Sequence, residues 1–256
     1  MIFHQNYQTV SDACWGLKYL TNGNIEIIKL VAKPKITKRF IDLLRINEPQ
    51  IQIPALRCII NILAGSDEGI QQVIDSKGIE VLIELLQNQE TQFRKESCWA
   101  LSNICSGTPL QIQYLLDQKI IPYIIGMIET DPFAIKKEAI FLLSNIFHQG
   151  NEEQIEYLIS LETLPIFCEM ISCNEISIEK VCLGALKRAL LFGKNLEQNK
   201  NNIVAQYLEE RNIIQVISNL ENSRDNEISS LSTQIIDGYF SESNNLAQMD
   251  EMDELN

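Results

Sequence analysis

The chain has 256 residues, enough to bury a substantial core, and carries 21 Lys and Arg against 34 Asp and Glu, a formal net charge of −13. That balance argues against nonspecific phosphate binding and favours basic partners. Seven cysteines with no Cys-x-x-Cys pair and only His4 and His148 make a zinc site or disulfide framework unexpected and fit a reducing, intracellular setting; no signal-peptide pattern and no bilayer-length apolar run is visible.

Residues 1–23 hold one amphipathic helix, at about 8–20, with Trp15 and Tyr19 four apart and so on one face. No helix pair precedes it, so the chain is expected to begin inside a repeat with an apolar face bare. Residues 24–65, 66–107 and 108–150 each read as three helices. In the second of these, 69–75 is a short first helix closed by Gly78, and 79–87 is a second with Val81, Leu82, Leu85 and Leu86 as its apolar stripe. Residues 91–105 form the third. Polar runs at 88–90 and 130–132 separate second helices from third, and Pro132 suits a helix start. The turn around Lys33-Pro34-Lys35 is irregular.

Residues 151–193 make a fourth unit, with Gly184 and Arg188 where the others carry an aromatic and an amide, and with Lys187 added. Residues 194–202 read as a polar loop and 203–240 as a final cap, so 194–240 is a capping repeat. Residues 241–256, with Asp250, Glu251, Asp253 and Glu254, read as a disordered acidic tail.

The third helices recur. Trp99 is followed by Asn103; 42 residues earlier stand Arg57 and Asn61, 42 earlier again Trp15 and Tyr19, and 42 later Phe141 and Asn145. Gly23, Gly65, Gly107, Gly150 and Gly193 follow at intervals of 42, 42, 43 and 43. The segments starting at Ile70, Ile112 and Ile155 agree in a second register. A period near 42 with helical patterning belongs to the HEAT/armadillo class. The expected fold is an all-α armadillo-repeat solenoid: a third helix alone at 1–23, four repeats at 24–193, then the cap. Cys14 and Cys98, at equivalent positions, read as small residues packed between helices.

A lone Trp at helical spacing is usually core; recurrence points elsewhere. Neighbouring third helices lie about 8–10 Å apart, and an extended peptide advances about 3.3 Å per residue, so one repeat matches about three peptide residues. Asn offers a donor and an acceptor to a peptide backbone. Trp walls form slots for Lys or Arg stems, worth roughly 0.5–2 kcal/mol. Glu96 and Glu138, each three residues before its aromatic, share that face and would favour cationic heads at the rim; ordinary exposed charge beside Lys95 and Lys137 is the alternative.

Residues 12–20, 54–61, 95–103 and 136–145 resemble the successive third helices of the importin-α (karyopherin-α) family, in the order Trp/Tyr, Arg/Asn, Trp/Asn, aromatic/Asn of its repeats five to eight. The resemblance runs from about Tyr7 to Phe240. It implies the C-terminal half of a nuclear import receptor that binds basic nuclear localisation signal peptides in its concave groove and shuttles between cytoplasm and nucleus. Glu96, Trp99, Ser102, Asn103, Glu138 and Asn145 would act at the minor of the family's peptide sites, Trp15, Tyr19, Asn61 and Phe141 would also bind peptide, and Arg57 would interrupt the Trp array. It also implies the recycling exportin as a partner of the C-terminal repeats, and importin-β only if a basic N-terminal segment exists. Phe141 replaces a family Trp, which narrows one wall. The competing expectation is a truncated or divergent armadillo scaffold that binds other proteins. With no phosphate loop, Gly-x-Ser-x-Gly or metal-spaced His, no enzyme, cofactor or metal is expected.

Overall fold

The computed structural model describes residues 1–195 and 202–240. The acidic tail expected at 241–256 and most of the polar loop lie outside the described residues, among which every regular element is a helix. The chain divides into two compact units, Met1–Asn151 and a second from Glu152 onward.

In the first unit, α1 (Tyr7–Thr21) is followed by three sets of three helices. These are α2 (Ile25–Val31), α3 (Pro34–Leu44) and α4 (Pro49–Leu63); α5 (Asp67–Asp75), α6 (Gly78–Leu86) and α7 (Thr91–Ile104); and α8 (Pro109–Leu116), α9 (Ile121–Thr130) and α10 (Phe133–Gln149). The second unit holds α11 (Glu152–Ser160), α12 (Thr163–Met170) and α13 (Ile176–Asn195), then α14 (Ile203–Glu210), α15 (Ile213–Leu220) and α16 (Asn226–Tyr239). This is the three-helix repeat of an all-α armadillo solenoid. The final cap is itself a set of three helices.

Local chemistry starts these helices. Asn6, Asn24, Ser66, Asn202 and Asp225 accept backbone N–H bonds as N-caps, and Thr108 forms a capping box with Gln111. Pro34, Pro49 and Pro109 fill first-turn positions whose N–H needs no helical partner. The irregular turn at Lys33 resolves this way: α3 begins directly at Pro34. In four other sets a left-handed residue precedes the second helix, directly at Lys77, Glu162 and Asn212 and one residue earlier at Lys119, with φ between 56° and 58°. Pro54 lies inside α4 and cannot bond the Gln50 carbonyl. The Ser11 hydroxyl of α1 donates to that carbonyl instead, at 2.7 Å.

Third helices of the first unit pack side by side in the order α1, α4, α7, α10. Cys14, Cys58 and Cys98 are buried at these contacts, and burial pushes the Cys14 thiol up to about 11, so these are packing residues and poor nucleophiles. The residues before α1 fold back on α3: Ile2 is buried, and Arg39 donates to its carbonyl at 2.9 Å. They cover part of the end expected to be bare, while Tyr7, Tyr19 and Leu20 stay exposed.

In the second unit α13 packs on α12, α14 and α16. Lys180 bridges Asp225 at 3.0 Å and Glu227 at 2.8 Å, and Lys187 bonds Gln234. Lys187 therefore ties α13 to α16. The expected stop at Gly193 is absent, because α13 runs through it to Asn195. That glycine is needed for close approach: a Cβ there would meet the Asn202 amide oxygen at 2.1 Å.

Candidate peptide groove of the first unit

The helical phase that puts Cys14, Cys58, Cys98 and Ile140 inside turns their immediate neighbours Trp15, Arg57, Trp99 and Phe141 outward. Trp99 is 44% exposed, an unusual state for indole on a well-packed helix. Below it a groove of about 520 Å³ runs along α1, α4, α7 and the start of α10, lined by Lys18, Arg57, Asn61, Lys95, Glu96 and Trp99 over Ile60 and Ile135.

Arg57 is the centre of its electrostatics. Its Nη2 meets Glu96 Oε1 at 2.8 Å and its Nε lies 3.1 and 3.3 Å from the two carboxylate oxygens. The guanidinium also stands 5.4 Å from the Trp15 ring centroid. Trp15 thus already has a cation of this chain beside it. Glu96 corrects an expectation: it is no rim carboxylate but 6% exposed, held by Arg57 and by Gln92 at 3.2 Å. Hydrogen bonding to Glu96 raises the Arg57 pKa further.

The amides are partly engaged. Asn61 Nδ2 donates to the Lys18 carbonyl at 3.0 Å and to Thr21 Oγ1 at 2.8 Å. Asn103 Nδ2 donates to the Ile60 carbonyl at 3.4 Å, and Asn145 Nδ2 to the Ser102 carbonyl at 2.9 Å and hydroxyl at 3.1 Å. Each third helix is therefore stapled to the one before it. Asn61 and Asn145 each make two such bonds, which leaves Oδ1 for a ligand, whereas Asn103 makes one and keeps a second N–H as well as Oδ1. Ser102, buried at 3% exposure, belongs to the staple.

Glu138 is half-buried on α10. Burial raises its carboxyl above the usual range, and Lys95 and Lys137 pull it back down. Trp15 and Tyr19 stack on each other, centroids 6.1 Å apart at 28°. Arg57, Asn61, Glu96 and Trp99 come together in the groove lining; Trp15, Tyr19, Ser102, Asn103, Glu138, Phe141 and Asn145 lie outside it. Lys18 and Lys95 were missed by sequence reasoning. The signal for Lys95 was present, since it stands four residues before Trp99 and so on its face. Among the described residues no cluster of His, Cys, Asp and Glu could hold a metal.

The Armadillo/beta-catenin-like repeat model matches residues 66–106. Importin subunit alpha-1a of Oryza sativa subsp. japonica is 37% identical over 79 residues, 30% of this chain and 15% of that protein. Importin subunit alpha-3 of Arabidopsis thaliana is 38% identical over 72 residues, 28% of this chain and 14% of that protein. The matched stretches thus span about one seventh of those curated relatives. A designed armadillo repeat protein superposes with a TM-score of 0.80 at 22% identity, covering 92% of this chain and 95% of its own. A second, solved in complex with peptide (KR)4, has a TM-score of 0.79 at 23% identity, covering 93% and 96%. The fold is that of armadillo repeat proteins, with partial sequence similarity to importin-α.

Proposed function

We propose that this chain is a receptor for extended basic peptides, of the importin-α type that takes up nuclear localisation signals, and that Trp99 and Phe141 with Asn103 and Asn145 form its main ligand row. The observation that carries this reading is the exposed Trp99 beside regularly spaced amides on adjacent third helices. A Lys or Arg stem packs on the indole, the amide oxygens accept peptide N–H groups, and Glu138 favours the cationic head. Such a receptor moves between cytoplasm and nucleus with its cargo. Partial similarity to importin-α and the fold shared with a (KR)4-bound designed protein support the reading.

The test is fluorescence anisotropy of a labelled Lys/Arg-rich peptide against the whole chain. Trp99→Ala with Asn103→Ala is expected to weaken binding at least about tenfold. Unchanged affinity in the double variant overturns the proposal. The second reading, an armadillo scaffold for other proteins, is favoured by the cations in the groove lining and expects indifference to such peptides.

A further inference from the structure

We infer that the groove selects a mixed-charge peptide: with a Lys or Arg held at Trp99, it takes an acidic side chain about three residues away, bound by Lys18, Arg57 and Lys95. This rests on the receptor reading above and narrows its ligand class.

The argument begins with the lining. It holds three cationic side chains and one carboxylate. That carboxylate, Glu96, is buried and gripped by Arg57 and Gln92, so it is turned away from any ligand. The Arg57 side chain keeps 33% of its surface exposed. The Lys18 ammonium lies 4.2 Å from the Tyr19 ring centroid, a soft contact that a carboxylate readily outcompetes. Ile60 and Ile135 supply an apolar floor, which strengthens charge interactions above it.

Lys18 on α1, Arg57 on α4 and Lys95 on α7 line the groove, whereas Glu138 stands on α10 outside that lining, flanked by Lys95 and Lys137. A uniformly basic ligand meets like charge at the α4 end, and such juxtaposition opposes binding. Helices about 8–10 Å apart and a peptide rise of about 3.3 Å per residue put the acid about three residues from the residue on Trp99.

The experiment uses the whole chain and labelled peptides built around one fixed Lys-Arg core. Glu or Gln is placed three residues before it, or three residues after it. In one direction Glu is expected to bind about two- to fivefold tighter than Gln at low salt, and the gain is expected to vanish in Lys18→Gln/Lys95→Gln. Both lysines are at least partly exposed, so the variant keeps its core, which circular dichroism checks. If the core peptide binds but Glu is no better than Gln in either direction, or its gain survives loss of both lysines, this inference fails and the receptor reading stands. If no peptide with the core binds, the receptor reading fails, and this inference with it.

Discussion

The Arg57 guanidinium grips Glu96 at 2.8 Å while standing 5.4 Å from the Trp15 ring centroid, so one side chain both neutralises a buried carboxylate and occupies an aromatic wall. Removing it leaves Glu96 held by the Gln92 amide in a site only 6% exposed. Arg57→Ala is therefore expected to destabilise the chain by about 1–3 kcal/mol in urea denaturation, reduced from the fully buried case because Arg57 is partly exposed. Arg57→Leu with Glu96→Leu should cost less than Arg57→Ala alone, because no orphaned charge remains. Glu138 works the other way. Burial raises its carboxyl pKa, with Lys95 and Lys137 opposing, so the folded chain binds that proton more tightly than the unfolded chain. Stability then falls as pH climbs from the unfolded value through the raised folded one, and the cost is fully present above the latter. Glu138→Gln is expected to remove that slope from stability measured against pH. The same variant should weaken a basic peptide about two- to fivefold, so the residue trades stability for ligand preference.

Helices are where the sequence was most legible, and for one reason: the third helices repeat at 42 residues, so Trp99 and Asn103 calibrate the phase of their neighbours. What escaped needed partners far along the chain. Glu96 is buried because Arg57, 39 residues earlier, reaches it, and no local pattern announces that pairing. The left-handed turns at Lys77, Lys119 and Glu162 were invisible because Lys and Glu have no preference for that region. Gly193 was read as a terminator through its spacing, whereas its helix continues and the glycine admits the Asn202 side chain. Asn202 caps α14 and also donates to the Leu190 carbonyl at 2.8 Å. Gly193→Ala would displace that side chain and is expected to cost about 1 kcal/mol in thermal or urea melts, the scale of a lost cap. Gly238→Ala is the matched control of opposite sign. It lies within α16 with nothing within 4 Å of an added Cβ, so it should stabilise by about 0.5–1 kcal/mol.

Across the whole molecule, each unit carries its own core: Phe40, Ile59, Phe93 and Phe147 in the first, Phe167, Leu186, Leu208 and Ile235 in the second. Both tryptophans, Trp15 and Trp99, belong to the first. Tryptophan emission therefore reports the first unit, whereas far-UV circular dichroism weights helices of both. Stacked repeats are stabilised by neighbour contacts and need not unfold as one. The two signals are expected to give different urea midpoints; superimposable curves would mean a single cooperative transition. A basic peptide sharpens the comparison because its proposed row lies wholly in the first unit. At a free concentration 100 times Kd it should stabilise that unit by about 2.7 kcal/mol. The emission midpoint then moves to higher urea while the remaining ellipticity phase stays in place. Movement of the ellipticity phase alone would put the ligand on the second unit, where Gly184 and Arg188 replace the aromatic and the amide, and would remove Trp99 from the centre of recognition.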